Sequence, residues 1–246
     1  MKFTILRFDS LDSTNTEAAN QARQGADEGL CIIAGQQTAG RGRHGRTWVS
    51  QAGDGLYFSI VLRPATETRF LPLITLMAGV AVYDALKEFG LKPDIKWVND
   101  VLVGEKKICG ILAETVETPR GLAVVVGIGI NLKSVGLPDE IAEISTSIQK
   151  ETGKTVRADD LAESLTRYAA YFYEILNQKD GSLEIRRHWQ RRSSYFSQKP
   201  VSITISDEIF TGTTDGLEEN GALRVIRSDG SVTIVQAGDI ERLREI

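Results

Sequence analysis

The chain has 246 residues, of which 41% are hydrophobic and 25% are charged, with 23 glycines and only 6 prolines. This composition is typical of a globular chain with a substantial core, and it excludes collagen-like, disordered and disulfide-scaffold proteins. The 29 basic and 33 acidic side chains give a formal net charge of -4, which argues against a protein that grips duplex DNA with a dense basic face.

The two cysteines, Cys31 and Cys109, lie far apart in apolar surroundings and match neither a metal-binding spacing nor a CxxC redox pair. We therefore expect two reduced, buried thiols. No apolar run reaches 18 residues, and the first residues lack the apolar centre of a signal peptide. The sequence predicts a cytoplasmic protein without a membrane-spanning segment.

Residues 1–196 predict an α+β domain, built on a mixed, largely antiparallel sheet packed with helices. The predicted strands are apolar runs rich in β-branched residues, at 3–8, 31–34, 56–63, 94–98, 101–103, 107–114 and 122–132. Short turns at residues 104–106 and 118–121 join the last three strands as hairpins.

Three helices are predicted beside this sheet. The first follows residues 13–15, a Ser-Thr-Asn run whose short polar side chains can cap free backbone amides. The second covers residues 71–89, with Pro72 in its first turn. A capping-box-like pair, Asp160 and Glu163, marks the third, whose apolar residues recur every three or four positions.

From Lys199 onward the pattern changes to short strands separated by turns, at residues 201–205, 209–213, 222–226 and 231–236. Four or five strands in under 50 residues fit a small antiparallel β-barrel, which hides the edges of short strands. We therefore predict a second, C-terminal domain over residues 197–246.

The most informative segment is the glycine- and arginine-rich loop over residues 40–47. It carries Arg41, Arg43 and Arg46, and no carboxylate occurs between residues 28 and 54. Glycines let backbone amides turn toward a ligand, and guanidinium groups match phosphate or carboxylate oxygens. The loop therefore predicts an anion-binding site, with a flexible solvated basic loop as the alternative.

Two known phosphate-binding signatures overlap in this loop. Gly40, Gly42 and Gly45 satisfy the dinucleotide-binding pattern GxGxxG, and the same segment nearly satisfies the P-loop pattern. Either signature requires a helix to open after the last glycine, whereas residues 48–55 contain two more glycines and no helical periodicity. Arg46 also replaces the required P-loop lysine, so we reject both interpretations.

Polar groups also cluster around a predicted hairpin. Residues 96–100 (Lys-Trp-Val-Asn-Asp) follow one strand, and Lys107 enters another strand with Cys109 and Ile111 on the same face. An amine in such a strand costs desolvation free energy unless an anion meets it. The structural alternatives are a simple Asn-Asp turn and an edge-strand charge.

Residues 127–131 (Gly-Ile-Gly-Ile-Asn) end an apolar strand. Glycines inside a strand often mark the close approach of a ligand or of another backbone. A β-bulge is the alternative.

Taken together, these segments resemble the biotin protein ligase family. The matching stretches occur in the family's order and at compatible spacing, at residues 13–15, 37–48, 96–100, 107–112 and 127–131. The predicted C-terminal barrel also fits, so the resemblance spans essentially the whole chain, and it implies a catalytic domain like that of class II synthetases. Val98 departs from the family, which usually has proline between the tryptophan and the asparagine.

The resemblance implies a ligase that activates biotin with ATP to biotinyl-5′-AMP and transfers the biotin to a lysine of a biotin carboxyl carrier protein, such as an acetyl-CoA carboxylase subunit. Because two anions must be brought together, cationic side chains and Mg²⁺ would compensate their charge. The implied catalytic residues are Lys107, Arg43 and Asp100, and Asp100 would orient the acceptor lysine. Since the adenylate is already activated, Cys109 is expected to pack rather than to act as a nucleophile.

The family's pattern also assigns binding residues. The biotin pocket would contain Ser13, Thr14, Asn15, Gln37, Gly40, Arg41, Lys107, Gly110 and Leu112. The nucleotide would be surrounded by Arg43, Arg46, Trp48, Asn99, Lys107 and Asn131. No residue is assigned as a metal ligand. The glycine-rich residues 40–55 are expected to be mobile when empty and to close over the adenylate.

Two rival functions stay open. A lipoate ligase resembles the same catalytic fold and chemistry with a different pocket, and a non-catalytic biotin or nucleotide sensor would need only the anion-binding loop. Some family members carry an N-terminal DNA-binding domain, which we do not expect here because the chain begins at the strand before Ser13. The basic run at residues 186–192 is expected to be a solvated helix face with Ile185, Trp189 and Phe196 packed inside, and a homodimer is possible.

Overall fold

The main β-sheet occupies the first half of the chain. A computed structural model describes residues 1–134, 138–205, 208–236 and 240–245. Seven strands form this sheet: β1 (Thr4–Leu11), β2 (Leu30–Gln37), β3 (Gly55–Leu62), β4 (Pro93–Lys96), β5 (Asp100–Val103), β6 (Lys106–Thr118) and β7 (Gly121–Asn131). Their order is β1-β2-β3-β7-β6-β5-β4. β1 and β2 run parallel and the other neighbours antiparallel, which confirms the predicted sheet.

Helices cover both faces of this sheet. They are α1 (Thr14–Arg23), α2 (Leu73–Glu88), α3 (Asp139–Ile144), α4 (Ile148–Thr152), α5 (Ala158–Leu176) and α6 (Gly181–Gln190). The buried alanines Ala18 and Ala22 let α1 lie close to one face of the sheet. The apolar α2 packs on the opposite face, and α5 and α6 pack against α2. Among the described helices, none is long and apolar enough to cross a membrane.

The predicted helix caps differ from the structure. Ser13 occupies the N-cap of α1, but its side chain makes no capping hydrogen bond, and Thr14 turns its hydroxyl to Gln37 instead. The capping-box prediction at Asp160 and Glu163 is wrong. The third predicted helix, α5, begins at Ala158, so both acidic residues lie inside it, where Asp160 in the first turn meets the positive end of the helix dipole.

The basic run at the end of α6 is partly as expected. Ile185 and Trp189 are fully buried, which confirms the predicted apolar face. Arg192 is not a solvated side chain, because its guanidinium pairs with Asp84, with 2.8 Å between Arg192 Nη2 and Asp84 Oδ2. This arginine therefore ties the end of α6 to α2.

Both cysteines are free and buried, as predicted.

The C-terminal strands form a second antiparallel sheet. They are β8 (Ser197–Ile205), β9 (Glu208–Leu217), β10 (Leu223–Arg227), β11 (Val232–Val235) and β12 (Ile240–Glu245), in the order β11-β10-β9-β8-β12. The small antiparallel C-terminal sheet is as predicted, but within the described part of the chain β11 and β12 do not pair, so the sheet does not close into a barrel. Val201, Ile203, Leu223 and Val225 belong to the same buried cluster as α2 and the main sheet. The second sheet therefore covers its apolar face against the first domain without closing on itself.

Candidate active site

A cavity of about 440 Å³ brings together the segments singled out in the sequence. Its walls come from the start of α1, the loop after β2, the β4–β5 turn and the strands β6 and β7. The predicted site residues that line it are Ser13, Thr14, Asn15, Gln37, Arg41, Arg43, Arg46, Trp48, Asn99, Asp100, Lys107, Gly110 and Leu112.

Two predicted site residues lie elsewhere. Gly40 lines a neighbouring cavity of about 980 Å³ on the other side of the loop. Asn131 is not among the described residues that line either cavity, and its Nδ2 donates a hydrogen bond of 3.0 Å to the Thr146 carbonyl. In this structure Asn131 therefore fastens β7 to the segment before α4.

The glycine- and arginine-rich loop folds as a small hairpin over residues 40–48. The Gly42 amide donates to the Arg46 carbonyl at 2.7 Å across this hairpin. Residues 43–45 make a single 3₁₀ turn and no α-helix follows them there, which agrees with rejecting the dinucleotide and P-loop interpretations. Closure of the hairpin over a ligand stays a prediction.

The charged side chains at one end of the cavity form an ion pair and hydrogen bonds with their neighbours. Lys107 Nζ lies 2.6 Å from Asp100 Oδ1, and both side chains are about three-quarters buried. Arg43 Nη1 donates to Asn99 Oδ1 at 3.3 Å, while Asn99 Nδ2 donates to the Ile111 carbonyl at 3.0 Å. Burial lowers the pKa of Arg43, and the charge of Asp100 opposes that shift. The cluster contains two cations and one carboxylate, so it favours an anionic ligand.

The strand glycines make room for the Trp48 side chain. Gly110 on β6 pairs with Gly129 on β7, and the indole lies over both of them. A Cβ on Gly129 would come within 2.5 Å of the indole nitrogen. Lys107 Nζ lies 5.4 Å from the ring centroid. The glycines therefore mark the close approach of a side chain, and the β6–β7 register is regular there, which excludes the bulge alternative.

The other end of the cavity is a chain of hydroxyl and amide groups. The backbone amide and the hydroxyl of Thr14 donate to Gln37 Oε1 at 2.8 and 3.1 Å, and Gln37 Nε2 donates to Ser50 Oγ at 2.7 Å. The hydroxyl oxygen of the fully buried Ser59 lies 2.8 Å from Thr14 Oγ1. This end is neutral and rich in fixed hydrogen-bond partners, whereas the Lys107 end is charged.

Sequence reasoning missed part of the lining. Ile144 of α3 and Leu243 of β12 line the cavity, and Ser59 supports it from within β3. A hydroxyl inside the apolar run of β3 was the available signal for Ser59. Ile144 and Leu243 gave none, because only the fold brings their distant elements to the site.

The described residues do not fit a resident metal ion. They include no group of three or more His, Cys, Asp or Glu side chains that could hold one. Asp100 is the one carboxylate among the described residues lining the smaller cavity, and it already pairs with Lys107.

Comparisons with known proteins agree with this geometry. Residues 7–131 match the biotin/lipoate A/B protein ligase family, and residues 196–243 match the biotin protein ligase C-terminal domain. The bifunctional ligase/repressor BirA of Bacillus subtilis is 34% identical over 242 residues, covering 96% of this chain and 73% of the relative. The biotin--[acetyl-CoA-carboxylase] ligase of Paracoccus denitrificans is 33% identical over 239 residues, covering 93% and 96%.

A solved structure resembles the whole fold. The biotin protein ligase from Aquifex aeolicus in complex with biotin and ATP superposes with a TM-score of 0.86 at 28% identity, covering 99% of both chains. The likeness therefore includes both sheets. The chain belongs to the biotin/lipoate A/B protein ligase family, and within it to the biotin protein ligases.

Proposed function

We propose that this protein activates biotin with ATP to biotinyl-5′-AMP and transfers the biotin to a lysine of a biotin carboxyl carrier protein. The observation that carries the proposal is a single cavity with a cationic end around Lys107 and Arg43 and a neutral hydrogen-bonding end around Thr14 and Gln37. The names of the relatives, which include biotin--[acetyl-CoA-carboxylase] ligases, support a carboxylase as the source of the acceptor.

The first step joins two anions. A carboxylate oxygen of biotin attacks the α-phosphorus of ATP, the bond from that phosphorus to the bridging oxygen breaks, and pyrophosphate leaves. The Lys107 ammonium and the Arg43 and Arg46 guanidinium groups offset the repulsion between the reactants and the charge that develops in the transition state. In this proposal Lys107 contacts both the carboxylate and the phosphate.

The neutral end of the cavity suits the ring system of biotin. The hydroxyl and amide groups of Ser13, Thr14 and Gln37 would hydrogen-bond the ureido group, while Gly110 and Leu112 would lie along its apolar part. Fixed partners at this end orient the vitamin so that its carboxylate points toward Lys107. Trp48 and Asn99 would lie beside the nucleotide.

The second step needs a free amine. The acceptor lysine attacks the carbonyl carbon of the adenylate, the bond to the phosphate oxygen breaks, AMP leaves, and the amine gives up a proton. Asp100 is the carboxylate nearest to this chemistry, and its ion pair with Lys107 holds it in place. We assign it to orient the acceptor amine and to accept the proton.

We propose that Mg²⁺ arrives with ATP, bound to the nucleotide phosphates, because the described residues offer no metal site of their own. The partner is a biotin-accepting domain of a carboxylase. A cytoplasmic location, the absence of DNA and membrane partners, and a homodimer stay predictions.

The decisive experiment measures isotope exchange between pyrophosphate and ATP with biotin, with lipoate and with neither acid. Exchange that depends on biotin, followed by transfer of labelled biotin to an apo carrier domain, is the expected result. Exchange with lipoate alone would identify a lipoate ligase. Biotin binding without any exchange would identify a sensor.

A further inference from the structure

We propose that Glu114 is a positioning residue, which fixes the guanidinium of Arg41 and so holds the hairpin of residues 40–48 against the biotin end of the cavity. The inference rests on the proposed biotin ligase function and deepens it. Glu114 belongs to β6, and it lies outside the segments that carry the family resemblance.

Glu114 and Arg41 form a paired ion bridge. Arg41 Nη1 donates to Glu114 Oε1 at 3.0 Å and Nη2 donates to Oε2 at 2.7 Å, although the two residues lie 73 positions apart. Two parallel bonds fix the plane of the guanidinium as well as its position. Both side chains are partly exposed, at 43% for Arg41 and 34% for Glu114. An isolated exposed ion pair contributes little stability. The strength of the Arg41–Glu114 pair therefore depends on the hydrogen bonds that hold the Glu114 carboxylate in place.

That support comes from Asn15. Its Nδ2 donates to Glu114 Oε2 at 2.8 Å and to the Leu112 carbonyl at 3.1 Å, and its Oδ1 accepts from Ser59 Oγ at 2.7 Å. Asn15 is 4% exposed and Ser59 is fully buried. Gly127 provides the space, because a Cβ there would overlap the Asn15 amide. Both amide hydrogens of Asn15 serve the protein, so its contribution to the biotin pocket passes through Glu114.

A second arm from Ser59 reaches the other end of the hairpin. Ser59 Oγ lies 2.8 Å from Thr14 Oγ1, the Thr14 backbone amide donates to Gln37 Oε1, and Gln37 Nε2 donates to Ser50 Oγ. The Ser50 hydroxyl in turn donates to the Trp48 carbonyl at 3.1 Å. The buried hydroxyl of Ser59 thus supports both ends of the hairpin. The chain of hydrogen bonds that ends on Arg41 passes through the Glu114 carboxylate.

The pairing also determines what Arg41 can do. Two of its five N–H donors are used by Glu114, and its charge is compensated there. The cluster of Lys107, Arg43 and Asp100 has two cations for one carboxylate, so it attracts the reacting anions, while Arg41 serves as a fixed wall of the biotin pocket. Loss of the Glu114 charge releases this wall before and during the reaction alike. The loss of the charge weakens the binding of the substrate and of the transition state equally, so it raises KM for biotin and leaves kcat nearly unchanged.

The test is Glu114→Gln, which keeps the side-chain size and removes the charge. We expect the Kd for biotin without ATP, measured by isothermal titration calorimetry, to rise about tenfold, as for loss of a charged hydrogen-bond partner. KM for biotin in pyrophosphate exchange rises by the same factor, and kcat stays within about twofold. Arg41→Lys, at the more exposed end of the pair, keeps the charge but not the paired geometry, so we expect the same rise.

The matched control is Glu88→Gln. Glu88 forms the same paired bridge, with Arg167 at 3.1 and 2.8 Å, and receives further bonds from Ser164 and Tyr168. It lines neither cavity, so its loss leaves the Kd for biotin unchanged.

A double variant tests whether Glu114 acts through Arg41. We expect Arg41→Gln with Glu114→Gln to bind biotin as weakly as Arg41→Gln alone. Multiplied effects, or an unchanged Kd in Glu114→Gln, would overturn the proposal. If the wild-type protein shows no biotin-dependent exchange, the proposed function itself fails. If it does and Glu114→Gln matches it, only the role of Glu114 fails.

Discussion

The Lys107 ammonium is held by two neighbours of different character. Asp100 lies 2.6 Å away on one side, and the Trp48 ring centroid lies 5.4 Å away on the other. The carboxylate and the π-face both favour the charged amine. Lys107 is thereby fixed in the cationic end of the cavity, where we propose that the carboxylate and the phosphate are joined.

We expect Lys107→Ala to lower the rate of adenylation by roughly 10² to 10⁴, the range found when a preorganised electrostatic group is removed. Pyrophosphate exchange with saturating biotin and ATP measures this rate. Lys106→Ala is the control, because Lys106 precedes it on β6 and lines neither cavity. An unchanged exchange rate in Lys107→Ala would remove Lys107 from the mechanism.

The two thiols are predicted to be inert in the folded protein. Burial raises the pKa of Cys31 to about 12, and burial raises the pKa of Cys109 as well. Because the thiolate is the reactive form, a disulfide reagent such as DTNB at pH 8 should leave the native protein unlabelled and modify both cysteines after unfolding. Above pH 9 the unfolded chain loses thiol protons that the folded chain keeps, so the free energy of unfolding should fall as pH rises. Native labelling as fast as that of the unfolded chain would contradict this.

Single residues also show where sequence reasoning stops. Lys107, Arg43 and Asp100 stand in local patterns, so their types and spacing could be read directly. Glu114 has no local signal, and the hydroxyl in the apolar run of β3 marks Ser59 without showing its role. Their partners are remote: Arg41 lies 73 positions from Glu114, and Asn15 lies 44 positions from Ser59. Their roles depend on which strands become neighbours in the sheet.

At the level of elements, β6 and β7 form a slot rather than a continuous apolar surface. The pairing of Gly110 with Gly129 leaves room for an aromatic ring against the sheet. The sequence predicted a close approach at these glycines. It could not identify Trp48 as the approaching group, because that requires knowing how the hairpin of residues 40–48 folds over the strands.

We expect Gly129→Ala to raise KM for ATP about tenfold, which corresponds to the 1 to 3 kcal/mol that overpacking typically costs. The added methyl group would overlap the indole and displace Trp48 from the position that we propose for it beside the nucleotide. Pyrophosphate exchange at varied ATP measures the effect. In a Trp48→Ala background the same substitution should change KM by less than twofold. A tenfold effect in both backgrounds would show that the slot does not act through Trp48.

Across the whole molecule, the second sheet is part of the site. Leu243 on β12 lines the cavity, and the indole nitrogen of Trp97 donates to the Gly221 carbonyl at 3.0 Å. The sequence predicted β8 to β11 but not β12, the strand that carries Leu243. It could not predict that the sheet stays open, since that outcome depends on how its apolar face meets α2. Shared burial predicts that both sheets unfold in one cooperative transition.

We expect Gly221→Ala to destabilise the protein through both its backbone and its contacts. Gly221 has φ of 86°, and a Cβ there would lie 2.9 Å from Leu76 and 3.0 Å from Leu73, both buried on α2. The backbone cost is about 1 to 2 kcal/mol, and overpacking adds about 1 to 3 kcal/mol. Urea unfolding should show this loss in a single transition, because damage at the contact between the β9–β10 turn and α2 weakens both domains.

The control for this substitution is Gly230→Ala. Gly230 has φ of 82° with nothing within 4 Å of the added methyl group, so it carries the backbone cost of about 1 to 2 kcal/mol without the packing cost. The difference between the two variants therefore isolates the contact between the second sheet and α2. Equal losses, or separate transitions for the two sheets, would mean that the C-terminal sheet only rests on the first domain. In that case Leu243 would not be held firmly enough to shape the cavity.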